Sequence, residues 1–176
     1  MCETSSYESY RMNIKRSFRN DLVRTIAFLL QDICKENDFF HEENNELIEP
    51  FLGKINKMSI EDFLNKCLQY SNAESSTFII MLIYIDRLCE INGFIINSFN
   101  VYKIIFSSLL IAIKYHEDDL FNNKYYAKIF GIKIEELNIL ENYFCKIINY
   151  RLFIDDDVFK TYYNNLNSSI EICIGC

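Results

Sequence analysis

The densest group of side chains that could do chemistry is His116, Glu117, Asp118 and Asp119. One imidazole with several carboxylates is a donor set that suits a divalent transition metal. Side chains of consecutive residues at the end of a predicted helix diverge around its axis, however, whereas metal ligands must converge on one point. We therefore interpret this group as a solvated helix terminus, with a metal site as the alternative.

Two other groups also have simpler structural roles. Cys173 and Cys176 form a lone CxxC without the following helix that activates a redox thiol, and without the further ligands that zinc needs. The three acids at 155–157 precede an apolar segment, where capping a helix is a simpler role than binding a metal. Only His41 and His116 could serve as an imidazole base for a nucleophile. We expect no enzymatic activity, no metal and no cofactor.

The composition limits the classes of partner. The 176 residues carry a formal net charge of −7, which argues against a basic nucleic-acid-binding surface. The longest apolar run, residues 78–85, is too short for a bilayer, which needs about 20 residues. Seven cysteines, an odd number, and a polar N-terminus without a signal-peptide pattern predict reduced thiols. We expect a soluble intracellular protein of the cytoplasm, the nucleus or both, with no nucleic-acid or membrane partner.

The elements that position any site are predicted to be helices, because the chain has only four glycines and one proline. Residues 1–17 are polar and are predicted to be a disordered tail. Within residues 18–58, apolar residues at helical spacing predict a helix over 21–34. The stretch 36–49 holds six acidic residues and no basic one, which predicts a solvated loop ended by Pro50. An acidic docking site is the alternative for this loop.

Five further helices are predicted between Ser59 and Ile148, over about 59–68, 75–89, 100–115, 124–130 and 134–148. The helix after Asn100 is apolar on every side, which is typical of a buried central helix. Another helix follows the acids at 155–157, and residues 167–176 are predicted to be a tail. The prediction is an all-α, orthogonal bundle of five helices over 59–166, with an additional N-terminal helix and a C-terminal helix.

Charged residues inside these apolar helices are the candidates for a binding function, because a buried charge needs a partner. Asp86 and Arg87 end the run FIIMLIYIDRL, Lys114 closes SSLLIAIKY, and Glu141 lies in LNILENYF. One interpretation is that each only extends from a helix end to solvent or pairs within the fold. The other is that they form a contact surface for another protein.

The same segments resemble the cyclin box, and specifically that of the P-type (PHO-type, cyclin-U-like) cyclins. SIEDFLNKCLQY resembles the first box helix, STFIIMLIYIDRLCE the second with its YIDR signature, and INSFNVYKIIFSSLLIAIKYHEDD the third. The elements N-x-x-YAK-x-x-G and ELN-x-LE within residues 122–154 are the most specific part of the likeness. Relatives in this group serve phosphate and nutrient signalling or the cell cycle. The resemblance implies a regulatory subunit that binds a cyclin-dependent kinase and seats the kinase's αC helix.

Residue by residue, Lys114 and Glu141 match the family's charged pair, which reaches backbone groups near the kinase αC helix. Lysine can only donate hydrogen bonds and ionised glutamate can only accept them. Four further residues match apolar interface positions and are expected to supply buried area, namely Ile111, Tyr115, Tyr150 and Leu152. A cyclin-fold scaffold or adaptor that does not activate a kinase is the alternative function.

Two features depart from the family pattern. Asp86 matches a buried aspartate that pairs with an arginine of the first box helix, and the matching position here is identified as Lys66, which makes a weaker and less oriented pair. This pair is expected to be structural support and not a contact. The chain also has no tryptophan and no MRAIL motif, so recruitment of substrates through that patch is not expected.

Overall fold

Seven α-helices form the part of the chain that the computed structural model describes, which is residues 16–39, 47–54, 56–91 and 93–174. Residues 1–15 of the predicted tail 1–17, most of the acidic stretch, His41 and Cys176 lie outside these ranges, whereas residues 16 and 17 are helical. The helices are α1 (Arg16–Asn37), α2 (Ile60–Tyr70), α3 (Ser75–Cys89), α4 (Val101–His116), α5 (Asn123–Phe130), α6 (Ile134–Ile147) and α7 (Asp156–Ile174), and a short 3-10 helix covers Glu49–Phe51. The described residues contain no strand, so the predicted all-α class is confirmed.

The helix ends follow from local sequence. Ser59 caps α2 by accepting a hydrogen bond from the Asp62 N–H at 3.0 Å. Asn122 caps α5 in the same way by accepting from the Tyr125 N–H at 3.0 Å. Gly131 ends α5 with φ of 76°, a left-handed conformation that residues with a Cβ rarely adopt. These short-range signals explain why the box helices lie close to their predicted positions.

Helix α4 is the centre of the bundle, as predicted from its apolar residues on all sides. It packs most extensively against α3 and α6, and most of its residues are buried. The small residues Ser107 and Ser108 are fully buried and donate their hydroxyls to carbonyls of the preceding turn, of Lys103 and Ile104. They therefore allow neighbouring helices to approach without leaving an unpaired hydroxyl.

Asn100 does not cap α4 with its side chain, although its position before the helix suggested that role. The fully buried side chain instead accepts from the Asn97 N–H at 2.9 Å and donates to the Ile95 carbonyl at 2.8 Å. Asn100 therefore fixes the loop that leads into α4. Buried loop backbone needs such partners because water cannot reach it.

The outer helices α1 and α7 pack against each other, and both contact α3. Helix α1 begins at Arg16, before the predicted start. Helix α7 continues to Ile174, so residues 167–174 are helical and not the predicted tail. The reason is that Leu166 and Ile170, one helical turn apart, are both 4% exposed, and their burial favours continuation of the helix. No described helix combines the length and the apolar character that crossing a membrane requires.

Candidate functional site

Lys114 and Glu141 form an ion pair between α4 and α6. The Lys114 Nζ lies 2.6 Å from Glu141 Oε1, and the two side chains are 31% and 23% exposed. The other carboxylate oxygen, Oε2, accepts from the Asn123 amide at 3.0 Å. The two charged residues singled out from the sequence are therefore brought together, and both retain contact with solvent.

The packing of α6 on α4 creates this geometry. Leu137, Leu140 and Phe144 are the buried residues of α6 and hold it against the central helix. Glu141 directly follows Leu140, so it emerges at the edge of the contact. Lys114 is in the last turn of α4, where its charge complements the partial negative charge of the helix terminus.

The four apolar candidates divide into surface and core. Tyr115 is 50% exposed and Tyr150 is 60% exposed, while Leu152 is half-buried. Ile111 is only 3% exposed because it lies on the central helix, which is surrounded by the bundle. Ile111 therefore lies beneath the exposed candidates in the free chain, and its part in a contact stays a prediction.

The backbone after α6 projects Tyr150 outward through an unusual turn. The Tyr150 N–H donates to the Cys145 carbonyl at 2.8 Å and the Asn149 N–H to the Lys146 carbonyl at 2.9 Å, the pattern of a Schellman helix end. Asn149 and Tyr150 both have φ of 54°. Asparagine tolerates this left-handed conformation, but for tyrosine it is uncommon and stores strain, a feature that clusters at functional sites.

The following segment is held to α3 through its carbonyl oxygens. The Tyr84 hydroxyl donates to the Leu152 carbonyl at 2.8 Å. The Arg87 guanidinium donates to the carbonyls of Arg151 and Phe153, the latter at 2.9 Å. Because three consecutive carbonyls are held, the backbone is fixed while the Phe153 side chain stays 70% exposed. Sequence reasoning missed Phe153, although its place beside Leu152 in an apolar RLFI run was a usable signal.

A chain of polar contacts joins this segment to the end of α4. The Tyr84 hydroxyl donates to the Leu152 carbonyl and is also hydrogen-bonded to His116 Nε2, 3.0 Å away. The His116 ring lies edge-on to the Tyr115 ring, with 4.9 Å between ring centroids. Tyr115 and Leu152 therefore belong to one connected surface. We use the name anchored surface for Lys114, Tyr115, Glu141, Tyr150, Leu152 and Phe153.

Asp86 does not pair with Lys66, and that prediction is wrong. Asp86 accepts from the Tyr162 hydroxyl of α7 at 2.6 Å, whereas Lys66 lines a groove with Tyr125 on α5. The two residues therefore face different neighbours. Burial raises the pKa of the Asp86 carboxyl, and the hydrogen bond from Tyr162 acts in the opposite direction. Asp86 retains a supporting role, but it supports the packing of α7.

The group at 116–119 is not simply a solvated terminus. Glu117 Oε1 accepts from the Glu74 N–H at 3.0 Å and from the Thr77 hydroxyl, so this carboxylate caps the start of α3 from a distant part of the chain. Among the described residues, no group of three or more histidine, cysteine, aspartate or glutamate side chains could hold a metal ion.

Of the three acids at 155–157, Asp156 and Asp157 lie in the first turn of α7, the place predicted for them.

The described cysteines are free thiols. Cys34 and Cys67 are buried, Cys145 is half-buried and Cys89 is exposed. Burial raises the pKa of each of the two buried thiols, Cys34 and Cys67, to about 12. These thiols are therefore protonated at neutral pH and are poor nucleophiles. Cys173 lies in α7, beyond the residues whose side chains are described.

Comparisons with known proteins give a consistent result. The family model described as Cyclin matches residues 3–152. Cyclin-U4-3 of Arabidopsis thaliana is 34% identical over 143 residues, which are 80% of this chain and 64% of that protein. Cyclin-U2-1 of the same plant is 34% identical over 120 residues, 68% of this chain and 54% of that protein. Cyclin-P3-1 of Oryza sativa subsp. japonica is 26% identical over an alignment of 179 positions, which covers 96% of this chain and 75% of that protein. The chain thus spans between about half and two-thirds of the length of the two Arabidopsis relatives.

Proposed function

This chain belongs to the cyclin family, whose members are regulatory proteins and not themselves enzymes, and we propose that it binds and activates a cyclin-dependent serine/threonine kinase. The contact is the anchored surface, and its effect is to seat the αC helix of the kinase. The observation that carries this proposal is the partly exposed Lys114–Glu141 pair, on helices that lead directly to the exposed residues Tyr115 and Tyr150.

The charged pair is suited to binding backbone groups of a partner helix. In the free chain the ammonium and the carboxylate satisfy each other at 2.6 Å. Lys114 has further N–H donors and Glu141 further lone pairs, so each can add a bond to a partner without leaving the other. Lys114 would donate to carbonyl groups of the kinase, and Glu141 would accept from its N–H groups.

The aromatic residues supply the apolar part of the contact. Tyr115, Tyr150 and Phe153 are each at least half exposed, and aromatic side chains dominate binding energy at protein interfaces. The Tyr115 backbone is part of α4, that of Tyr150 is held in the turn after α6, and Arg87 holds the Phe153 carbonyl. Because this backbone is already fixed in the free chain, less conformational entropy is lost when the kinase binds.

Activation follows if this surface binds the active conformation of the kinase more tightly than the inactive one. Kinase catalysis needs an ion pair between a strand lysine and an αC glutamate, together with the metal-binding aspartate, all in place. A partner that binds αC in its active position shifts the population toward it by the difference in the two binding free energies. The chain itself then contributes contact energy and no chemistry.

The test uses purified cyclin-dependent kinase subunits from the source organism, each mixed with this chain. Binding is measured by calorimetry, and activity by phosphate transfer to a generic serine substrate. At least one kinase is expected to bind and to gain activity. Phe153→Ser is expected to weaken both by about tenfold or more, because it removes an exposed aromatic anchor.

Phe28→Ser is the matched control, since Phe28 on α1 is 63% exposed and lies outside the anchored surface. It is expected to leave binding and activation unchanged. A kinase that binds through the anchored surface without gaining activity would make the chain a scaffold and refute activation. Failure to bind any of the kinases would refute the whole proposal.

A further inference from the structure

A groove between α2 and α5 has no part in the proposed kinase contact. It has a volume of about 340 Å³ and is lined by Lys66, Tyr70, Tyr125, Lys128 and Ile129. Its residues come from helices other than those that carry the anchored surface. This size is at the lower end of the range for peptide or small-molecule sites.

The floor and wall of the groove are held in a fixed arrangement. The Tyr125 hydroxyl donates to the Tyr70 carbonyl at 3.0 Å, which joins the end of α2 to α5. The Tyr125 ring packs on Phe121, with ring centroids 4.3 Å apart. Tyr70 is 48% exposed and Tyr125 is 36% exposed. Apolar ring surface is therefore available to a ligand without rearrangement.

The groove is positively charged in a chain that is negative overall. None of its lining residues is acidic, and the net charge of the chain is −7. Within the described ranges, the ion pairs involve neither Lys66 nor Lys128. Asp62, one turn before Lys66, is instead hydrogen-bonded to the Ser59 hydroxyl at 2.7 Å. Both ammonium groups are thus available to a ligand.

We propose that this groove is a docking site for a short acidic peptide segment of another protein. Two carboxylates of the segment pair with Lys66 and Lys128, and an apolar side chain between them lies on Tyr70 and Tyr125. Charge complementarity selects this occupant, because a basic segment would be repelled by both lysines. The negative charge of the whole chain disfavours a nucleic-acid backbone.

The test uses the purified chain without a kinase, so its outcome is separate from that of the proposed function. The probe is a fluorescein-labelled octapeptide, Asp-Glu-Asp-Leu-Phe-Asp-Glu-Asp, and binding is followed by fluorescence anisotropy. The double variant Lys66→Glu with Lys128→Glu is expected to weaken binding about tenfold or more, and added salt is expected to weaken binding to the unaltered chain. The control carries the same charge change at two exposed lysines elsewhere, Lys54→Glu with Lys133→Glu.

The control variant is expected to bind within about threefold of the unaltered chain, because neither lysine lines the groove and exposed charges are screened by salt. Equal losses in both variants, or equal binding of a peptide with Asn and Gln in place of Asp and Glu, would overturn the proposal. A peptide with phosphoserine in place of Asp that binds more than about tenfold tighter would assign the groove to phosphate and overturn it as well. If the double variant does not fold by circular dichroism, Lys66→Gln with Lys128→Gln replaces it and must show a loss in the same direction.

Discussion

Exchanging the charges of Lys114 and Glu141 separates their role in the fold from their role in binding. The variant Lys114→Glu with Glu141→Lys keeps an ion pair between α4 and α6, now with its polarity reversed. The Asn123 amide, which donates to Glu141 Oε2 at 3.0 Å and to Asn138 Oδ1 at 2.7 Å, can accept from the new ammonium when both amides rotate by half a turn. The free energy of unfolding is expected to fall by no more than about 1 to 2 kcal/mol, because the pair is kept while a glutamate in the last turn of α4 loses the favourable interaction with the helix terminus.

Binding to the kinase is expected to fall much further. A backbone carbonyl of the partner that accepted from Lys114 would face a carboxylate, and an N–H that donated to Glu141 would face an ammonium. Disrupting one hydrogen-bonded charge in an interface costs about 2 to 5 kcal/mol. The lower end of this range already corresponds to about a thirtyfold increase in Kd. We expect at least that increase, because both contacts are reversed at once.

The chain offers a matched control between the same two helices. Lys103 on α4 and Glu136 on α6 form an ion pair at 2.7 Å, with side chains 22% and 38% exposed. Exchanging these two charges makes the same chemical change outside the anchored surface, so Kd should stay within about threefold. The measurements are calorimetric titration for Kd and urea unfolding for stability. Equal Kd values for both exchange variants, with unfolding midpoints unchanged, would refute the assignment of Lys114 and Glu141 to the interface.

Three further predictions concern residues that hold or shape the surface. Burial raises the pKa of the Asp86 carboxyl, so the folded state favours the protonated form. The resulting contribution to the free energy of unfolding is present at low pH and is lost as pH rises through the folded-state pKa. Tyr162→Phe removes a donor to Asp86 and is expected to cost about 1 to 3 kcal/mol at neutral pH and less near about pH 4; equal costs in urea unfolding at both pH values would contradict this. Tyr150→Gly relieves the positive φ and is expected to stabilise the chain by about 1 kcal/mol while weakening kinase binding about tenfold; a lower unfolding midpoint or unchanged Kd would count against it. Glu117→Ala leaves the Glu74 N–H at the start of α3 without its acceptor and is expected to cost about 1 to 2 kcal/mol in urea unfolding, so an unchanged midpoint would exclude the capping role.

The helices of this fold were predictable because their signals are local. Ser59 and Asn122 accept from the N–H of the third residue after them, and Gly131 supplies the positive φ at the end of α5. The same reasoning failed for the end of α7. Ile170 stabilises the last turns of this helix only because it is buried against other helices, and that burial is not visible in the local sequence. A helix end that is decided by tertiary packing leaves little trace in the nearby residues.

The contacts that organise the site join residues far apart in the sequence. Glu117 reaches the start of α3 across 43 residues, and Tyr162 reaches Asp86 across 76. Spacing within one helix cannot identify such partners, and the family resemblance paired Asp86 with Lys66 and not with Tyr162. Lys114 and Glu141 were identified through a family resemblance, since their apolar surroundings alone were equally compatible with pairing inside the fold.

The YIDR sequence at the end of α3 connects the end of α4, the segment after α6, and α7. Tyr84 joins the Leu152 carbonyl to His116 at the end of α4. Arg87 holds the carbonyls on either side of Leu152, and Asp86 binds α7 through Tyr162. Ile85, between them, points into the core with 1% exposure. None of the three polar residues needs to touch a kinase, yet Tyr84 and Arg87 fix the backbone that carries Leu152 and Phe153, so this short sequence supports the anchored surface.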